Sequence, residues 1–324
     1  MATIYEVAKR AGVSASTVSR VVSGGRPVNP DLAKKVLKAA AELGFRPNRA
    51  ARNLRLRTST IIALVIPDVE NPFFTSLARG VEDVALQAGY NVVLCNTDED
   101  PAKEARYLEV IEADRMAGAI IASTSGSAGL ARLAETGMPL VAVDRKAAGV
   151  EVDTVLADNT DPAREVTARL LAAGYRNLAC VAGPLDVPSL VQRVDGFRAA
   201  IAGVAGVRAT VVEHKSARVD DGFRAVSELL AGPDRPDALF AINNTLALGA
   251  VHALRDAGVA PGTFGFASFG IAPWTEVVGW PMVTVEQPTR ELGSTAVTML
   301  LERMNGDRQP PRNVTLTPEV IEVH

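Results

Sequence analysis

The pattern of apolar and polar positions divides the chain into a short helical region and a long region of alternating strands and helices. In the short region, apolar side chains recur every three or four positions, which is the spacing of one helix face. Three groups show this spacing: Ile4, Val7, Ala8 and Ala11; Val18, Val21 and Val22; and Leu32, Val36, Ala39, Ala40 and Leu43. The pattern predicts three short helices between residues 1 and 46.

Capping and turn residues at the ends of these groups support the three helices. Thr3 and Glu6 have the spacing of a capping box, and Ser14 and Asn29 are favourable caps for the second and third helices. Gly12 permits the tight turn between the first two. Two short helices joined by such a turn are typical of a helix-turn-helix motif, although a three-helix bundle of no special purpose has the same pattern.

From Ser59 onwards, short β-branched runs alternate with helical patterns. The runs predicted as strands are TIIALVIPD, NVVLCNT, AGAIIAS, PLVAVD, NLACVAG, ATVVEH, ALFAIN and FGFASFG. Nearly continuous apolar strands that alternate with helices indicate parallel sheets covered on both faces. Because these strands are too many for one small sheet, we expect an α/β body with two similar lobes.

The predicted organisation is an all-α helix-turn-helix head followed by this two-lobed α/β body. We expect the head at 1–46, a hinge at 47–58 and the body at 59–324. Within the body, the first lobe is expected at about 59–158 plus 288–316. The second lobe is expected at about 159–286 plus a C-terminal strand.

The charge distribution follows the same division. The first 57 residues carry twelve Lys or Arg and three Asp or Glu, whereas the other 267 carry 22 basic and 34 acidic residues. A compact basic region on an acidic body is typical of a protein that binds a polyanion, because each neutralised phosphate releases counterions. We therefore expect the head to bind nucleic acid while the body has a different role.

The remaining composition argues against several other classes. Cys95 and Cys180 lie in apolar runs without a second cysteine at ligand spacing, so we expect two buried thiols and neither a disulfide nor a metal site. No apolar stretch reaches the length of a membrane span, and residues 1–10 do not resemble a secretory leader. The expectation is a cytoplasmic protein without cofactors.

Two segments, TIYEVAKRAGVSASTVSRVVSG and RPNRAARNL, together resemble the lactose-repressor (LacI/GalR) family of bacterial transcription regulators. The resemblance extends over the whole chain and implies a sequence-specific DNA-binding head, a hinge and a periplasmic-binding-protein-like body. It implies that the second helix reads bases in the major groove, where Arg20 would make a bidentate contact with guanine. The head residues that would contact DNA are Thr3, Ser14, Ala15, Ser16, Thr17, Ser19, Arg20 and Asn29.

The basic, alanine-rich segment 47–57 matches the hinge of that family. A helix of one or two turns is unstable alone in water, so this segment should fold only with a partner. The resemblance implies paired hinge helices in the minor groove, with Leu54 inserted between base pairs. The implied DNA contacts are Asn48, Arg49, Ala51, Arg52, Leu54 and Arg55. The alternative is a solvated linker whose leucine packs on the body.

Polar and aromatic residues follow several predicted strands, where ligands of open α/β sheets bind. The candidates for effector contacts are Asn71, Phe73, Phe74, Asp144, Arg145, Arg193, Asn243, Trp274 and Gln287. Apart from Trp274, they lie where the resemblance implies ligand contacts. Carboxylate, guanidinium and amide groups around aromatic rings suit a polyhydroxylated molecule such as a sugar. Taken singly, each could instead cap a strand end or form a surface ion pair, and Trp274 could cover the cleft or pack under a loop.

Four positions depart from the family pattern. Gly270 stands where many members have Asp, and Asn244 also stands where Asp is usual. Val187 and Ser189 stand where the purine-responsive relative has Arg and Thr, which disfavours a purine ligand. The effector is therefore expected to be a sugar or sugar derivative whose identity stays open.

Other functions predict different behaviour. Motifs for nucleotide binding and for serine or zinc hydrolases are absent, although Asp68, Asp144 and Asp158 end apolar strands, where a hydrolase could use them. A solute-binding or sensor protein without regulatory DNA binding would fit the body alone, and an architectural DNA binder would need no ligand. We expect a non-enzymatic repressor that binds pseudo-palindromic operator DNA as a homodimer. A sugar that changes the angle between the lobes would release it.

Overall fold

The computed structural model describes residues 2–23, 28–45, 59–124 and 128–323. The chain divides into two compact units, the head at Met1–Ser59 and the body at Thr60–His324. The predicted hinge contacts lie outside the described residues, so their role in DNA binding stays a prediction. These contacts are Asn48, Arg49, Ala51, Arg52, Leu54 and Arg55.

The described part of the head contains three helices, as the apolar spacing predicts. They are α1 (Ile4–Ala11), α2 (Ala15–Ser23) and α3 (Pro30–Glu42). At the start of α1, the backbone N–H of Glu6 donates to the Thr3 hydroxyl, and the Glu6 carboxylate accepts from the backbone N–H of Thr3. Gly12 ends α1 with a φ of 68°. The helices bury a small core of Val7, Ala8, Val18, Val36 and Ala39.

The body consists of two sheets with helices between their strands. The first sheet contains β1 (Ile61–Ile66), β2 (Asn91–Asn96), β3 (Gly118–Ile121), β4 (Leu140–Val143), β5 (Asp153–Ala157) and β11 (Asn313–Leu316), in the order β11-β5-β4-β3-β1-β2. The second contains β6 (Asn177–Ala182), β7 (Arg208–Glu213), β8 (Ala238–Ala241), β9 (Gly265–Phe269), β10 (Met282–Glu286) and β12 (Glu319–Val323), in the order β12-β10-β9-β8-β6-β7. Every described strand pair is parallel except β10 with β12.

Helices cover both faces of the first sheet, which is why its central strands β1, β3 and β4 are apolar along their whole length. The body helices are α4 (Pro72–Gln87), α5 (Pro101–Ala113), α6 (Ala128–Glu135), α7 (Thr160–Ala172), α8 (Pro188–Ile201), α9 (Val219–Ala231), α10 (Asn244–Asp256) and α11 (Thr289–Met304). Alternate residues of β1 enter different cores: Ile62 and Leu64 pack in the core that includes α4 and α11, whereas Ala63 and Val65 pack with α5. None of the described helices could span a membrane.

The chain returns to the first sheet near its C-terminal end. Helix α11 packs closely on α4, and a Cβ atom at Gly80 would lie 2.2 Å from the carbonyl oxygen of Arg290. Strand β11 then pairs with β5, and β12 pairs with β10 in the second sheet. The apolar runs did not indicate β5, β10 or β11. Polar residues interrupt the apolar pattern of these strands. Thr284 in β10 is buried but polar, and β11 lies at a sheet edge with alternating exposure.

Candidate functional site

A cleft of about 390 Å³ lies at the carboxyl ends of strands from both sheets of the body. Eight of the nine candidate effector residues line it together: Asn71, Phe73, Phe74, Asp144, Arg145, Arg193, Asn243 and Gln287. The parallel strands explain this gathering, because their carboxyl ends meet along one edge of each sheet. The role of these residues in binding an effector stays a prediction.

The aromatic wall of the cleft is formed at the start of α4. Asn71 caps this helix, since its Oδ1 accepts a hydrogen bond from the backbone N–H of Phe73 at 3.0 Å. The rings of Phe73 and Phe74 pack edge to face, with centroids 4.9 Å apart, and both side chains are buried. Asn71 therefore acts as a cap, which is the structural alternative to a ligand contact considered for it above. The cap holds the two rings at the cleft.

Backbone strain in the body is concentrated at the first-lobe wall of the cleft. Among the described non-glycine residues, four have positive φ, and three of these line the cleft: Asp98 (55°), Glu99 (57°) and Asp144 (65°). Such conformations cost about 1–3 kcal/mol each and tend to occur at functional sites. At this wall, the gain from placing these side chains outweighs the free-energy cost of the strained backbone.

Arg145 forms ion pairs with two of the strained residues, Glu99 and Asp144. Its Nη1 and Nη2 donate to the Glu99 carboxylate at 3.0 and 2.9 Å, and its Nε lies 3.5 Å from Asp144 Oδ2. Burial alone would lower the pKa of Arg145, but the carboxylates of Asp144 and Glu99 raise it above its ordinary value. Arg145 is therefore a cation, and its hydrogen bonds to Glu99 fix it against the first lobe.

Arg193 lies on α8 in the second-lobe wall and is 5% exposed. Its Nε donates to Asn159 Oδ1 and its Nη1 to the carbonyl oxygen of Ile242, both at 2.8 Å, while the guanidinium carbon lies 3.9 Å from the Phe269 ring centroid. Burial lowers the pKa of Arg193 to about 10, so the group is still a cation at neutral pH. Its described hydrogen bonds go to neutral groups alone, which leaves its charge available to a ligand.

The two remaining cleft candidates differ in how firmly they are held. Asn243 caps α10: its Oδ1 accepts from the backbone N–H of Leu246 at 2.8 Å, and its Nδ2 donates to the carbonyl oxygen of Ala217 at 3.1 Å. Gln287 follows β10, and its Nε2 is buried with no hydrogen-bond partner in the described structure.

Trp274 does not line the cleft. It is half-buried and packs against the core of the second lobe. The structure therefore favours the alternative of a residue packed beneath its own loop over an effector contact. The physical reason is the large apolar area of the indole ring, which in a loop after β9 is buried most fully against the adjacent core.

Sequence reasoning missed several charged and polar residues of the cleft: Asp98, Glu99, Lys215, Ser216 and Arg218. Asp98 and Glu99 follow β2, and Lys215 and Arg218 follow β7, so the strand-end rule that selected Asp144 could have found them. They show that carboxylates dominate the first-lobe wall and cations the second. The opposed charges favour approach of the two walls.

The three strand-end carboxylates considered for hydrolysis do not form one cluster. Asp68 and Asp144 line the cleft, but Asp158 does not. Asp158 Oδ1 instead accepts hydrogen bonds from the backbone N–H groups of Thr160 and Asp161 at the start of α7. No group of described residues could hold a metal ion. Both cysteines are buried and free, as predicted.

In the head, α2 presents its polar face to solvent. Ser14 caps this helix, because the backbone N–H of Thr17 donates to its Oγ at 3.2 Å, and Ser16 Oγ lies 2.8 Å from Ser14 Oγ. Arg20 is exposed one turn later, and its Nε donates to the Ser16 carbonyl oxygen at 3.3 Å. Of the other candidates, Thr3 and Asn29 are exposed caps, whereas Ala15, Thr17 and Ser19 are half-buried.

Comparison with known proteins covers both units of the chain. Residues 3–48 match the family model of bacterial regulatory proteins of the lacI family, and residues 59–323 match that of periplasmic binding proteins and the sugar binding domain of the LacI family. The HTH-type transcriptional regulator KdgR of Bacillus subtilis (strain 168) is 33% identical over 98% of this chain and 96% of its own length.

Solved structures agree with this assignment. A lac repressor dimer bound to operator and an anti-inducer is 25% identical, with a TM-score of 0.85 over 99% of this chain and 97% of that one. A complex of the transcriptional regulator CelR with cellobiose is 27% identical, with a TM-score of 0.72 over 99% and 98%. The chain therefore belongs to the LacI family of bacterial regulatory proteins.

Proposed function

We propose that this protein is a transcriptional repressor that binds operator DNA through its head and releases it when a sugar or sugar derivative binds in the cleft. The observation that carries the proposal is the cleft itself. It brings two aromatic rings, a buried guanidinium whose described hydrogen bonds go to neutral groups, and several amides together at the carboxyl ends of both sheets. Rings stack on sugar faces, while amides and charged groups bind hydroxyls.

The charge of the head and the exposed face of α2 support the DNA-binding half of the proposal. Arg20 would read a guanine, and the hydroxyl groups near Ser14 would contact phosphates. The related lac repressor was solved as a dimer on its operator. By analogy, we propose a homodimer on a pseudo-palindromic site in the cytoplasm, with the segment 47–58 as the hinge.

The family description and the CelR complex support a carbohydrate effector. In this cleft, Phe73 and Phe74 would contact an apolar sugar face. Asp144, Arg193 and Asn243 would bind hydroxyl groups. A purine effector is disfavoured by Val187 and Ser189, both of which line the cleft.

Ligand binding would be coupled to DNA binding by approach of the two walls. A ligand that contacts both walls binds more tightly when the walls are close together, and it stabilises that state by the difference between its affinities for the two states. The coupling between sugar binding and DNA binding must be reciprocal. Such couplings typically amount to about 1–3 kcal/mol. The sugar would then weaken operator binding by roughly 5- to 150-fold.

A pair of variants separates the two activities. The wild-type operator would be selected from a random-sequence DNA library, and sugars would be screened by thermal shift with D-ribose, D-glucose, D-gluconate and cellobiose. Arg20→Ala should reduce specific DNA binding and leave sugar affinity unchanged. Arg193→Ala should abolish the sugar response and leave operator binding intact. A full sugar response in the Arg193 variant, or equal losses on operator and random DNA in the Arg20 variant, would contradict these roles.

A second candidate function is a solute sensor without regulatory DNA binding, which the cleft alone would serve. The basic head argues against it. Sugar binding without enrichment of any sequence from the library would favour this alternative over the repressor.

A further inference from the structure

The two lobes of the body are joined by three crossovers of two residues each. They are 158–159 between β5 and α7, 287–288 between β10 and α11, and 317–318 between β11 and β12. The second contains Pro288 and the third contains Pro318, and a proline ring fixes the backbone φ of its own residue. The first crossover lacks this restraint. A change in the angle between the lobes bends the backbone at such connections, so the first crossover is the one with the greatest freedom to respond.

Asn159, in this first crossover, occupies the cap position of α7 but does not cap the helix. It is 4% exposed, and its side chain makes no capping hydrogen bond. Asp158 caps the helix in its place, because its Oδ1 accepts from the backbone N–H of Thr160 at 3.0 Å. Asparagine is among the most favourable capping residues. Its amide is therefore held by other contacts that outweigh the cap.

Those contacts join the two lobes. The Nδ2 of Asn159 donates to the carbonyl oxygen of Ala157 at 3.0 Å and to Gln192 Oε1 at 3.2 Å, and its Oδ1 accepts from Arg193 Nε at 2.8 Å. Ala157 ends β5 and packs in the core of the first lobe, whereas Gln192 and Arg193 lie on α8 in the second. The buried amide thus connects a strand end of one lobe to the cleft cation of the other.

Helix α8 is packed tightly against the same crossover. A Cβ atom placed on Gly196 would lie 2.3 Å from the carbonyl oxygen of Thr160, the first residue of α7. Arg193 lies one turn earlier on α8 and lines the cleft. Because closely packed interiors transmit displacements, a shift of α8 at Arg193 moves the start of α7 as well.

We propose that Asn159 is a positioning residue that couples Arg193 in the cleft to the first crossover, and so to the angle between the lobes; the inference rests on the function proposed above. A ligand that draws Arg193 toward the first lobe displaces the Oδ1 end of the amide. The Nδ2 end transmits that displacement to Ala157. Asn159 is not among the residues that line the cleft, so it acts through Arg193 and not on the ligand.

Asn159→Asp separates the two ends of the amide. Aspartate keeps an oxygen acceptor for Arg193 but places a second oxygen opposite the carbonyl oxygen of Ala157, so that contact becomes repulsive. Each of D-ribose, D-glucose, D-gluconate and cellobiose that binds the DNA-free wild type should bind this variant with the same affinity. The ratio of operator affinities without and with that sugar should nevertheless fall toward one, by at least about twofold. An unchanged ratio would overturn the proposal.

Asn159→Ala removes both ends and should lose more. Without its acceptor the buried Arg193 guanidinium is held less firmly, so sugar affinity should also fall, by roughly tenfold. The matched control is Asp158→Ala, which removes the cap of α7 and should lower the melting temperature. This control keeps both ends of the Asn159 amide in place, so its operator-affinity ratio should equal that of the wild type. An equal loss of the ratio in Asp158→Ala would show that any loosening of the crossover uncouples the sites, and it would overturn the specific role of Asn159.

A measurement on the ligand-free full chain tests the contact with Arg193 directly. In protein labelled with ¹⁵N-arginine, the Arg193 Nε–H resonance is identified by its loss in Arg193→Lys. Its exchange with solvent should be slow in the wild type and in Asn159→Asp, and faster in Asn159→Ala, because only alanine removes the acceptor. An exchange rate in Asn159→Ala equal to that of the wild type would mean that Asn159 does not hold Arg193, and it would overturn the proposal.

These results also distinguish the inference from the function on which it rests. If none of the four sugars binds the wild type, the proposed function has failed on these probes, and the exchange rates of the ligand-free variants decide whether Asn159 positions Arg193. If a sugar releases the operator from the wild type and from Asn159→Asp equally well, the function stands and the coupling role of Asn159 does not.

Discussion

The head and the body of this protein are stabilised in different ways. Among the described residues of the head, the most fully buried apolar side chains are those of Val and Ala, and they lie between three short helices. The body buries large rings, including Phe197 and Phe240, whose centroids lie 6.3 Å apart. A unit with so small a core depends more on helix caps, whereas the body gains its stability from buried apolar area.

Because of this difference, we expect a destabilising substitution in one unit to unfold that unit without unfolding the other. Contacts within α1–α3 support the surface proposed to bind DNA, and contacts within the two lobes support the cleft. Changes inside one unit should therefore leave the function of the other largely intact. Four substitutions, ordered by the size of the expected effect, test this separation.

The largest effect is expected for Phe197→Ala in the body. Phe197 is fully buried, and removal of a buried Phe typically costs about 3–5 kcal/mol of the free energy of unfolding. Both cysteines lie in the body and are buried, so the rate of thiol labelling of Cys95 and Cys180 reports body unfolding alone. Burial raises the pKa of the Cys180 thiol, which further suppresses its reactivity in the folded state. Labelling should accelerate in the variant; an unchanged rate would contradict the proposed importance of this core.

Val18→Ala should have a smaller energetic cost but remove DNA binding. Val18 is fully buried in the head, and loss of its two methyl groups should cost about 2 kcal/mol. That amount is a large share of the stability of a three-helix unit. Circular dichroism should show lost helix, and operator affinity should fall, while the thiol-labelling rate stays at its wild-type value. Faster labelling would mean that the head and body unfold together.

Low pH should destabilise the body through Asp153. Burial alone would raise the pKa of this carboxylate, but hydrogen bonds from Arg303 and Arg312 lower it below its ordinary value. A lowered folded-state pKa gives stability that is present above about pH 4 and is lost as the pH falls through the folded-state pKa. Asp153→Asn should remove about 1–3 kcal/mol at neutral pH and flatten the acid limb of the unfolding curve. An unchanged acid limb would exclude Asp153 as its source.

The smallest effect is expected for Thr3→Ala, which removes the hydroxyl of the capping box in the head. Loss of such a cap typically costs about 1 kcal/mol. The hydrogen bonds from Thr3 lower the pKa of Glu6, so the variant should also return that pKa toward its ordinary value. Chemical-shift titration of Glu6 would measure this change. A Glu6 pKa that is the same with and without the hydroxyl would contradict the hydrogen bond from the Thr3 hydroxyl to the Glu6 carboxylate.

Much of the fold follows from local patterns, and the failures have physical causes. The three head helices were predictable because caps such as Thr3 and Asn29 coincide with the apolar spacing. Strand β5 was not, because its buried Asp153 and Thr154 interrupt the apolar run and are satisfied by distant arginines. In the cleft, Arg193 and Asn243 could be predicted from strand and helix ends. Trp274 could not be placed, since the choice between cleft and core depends on how its loop packs.

The return of the chain to the first sheet has a consequence for biosynthesis. The first lobe lacks β11, and its core lacks Leu292, Val297 and Leu300 of α11, until the ribosome has passed residue 316. A nascent first lobe therefore exposes an apolar face of α4 and an unpaired strand edge during most of translation, which is the kind of surface that chaperones bind. The three described helices of the head, by contrast, are all complete as soon as its first 45 residues emerge.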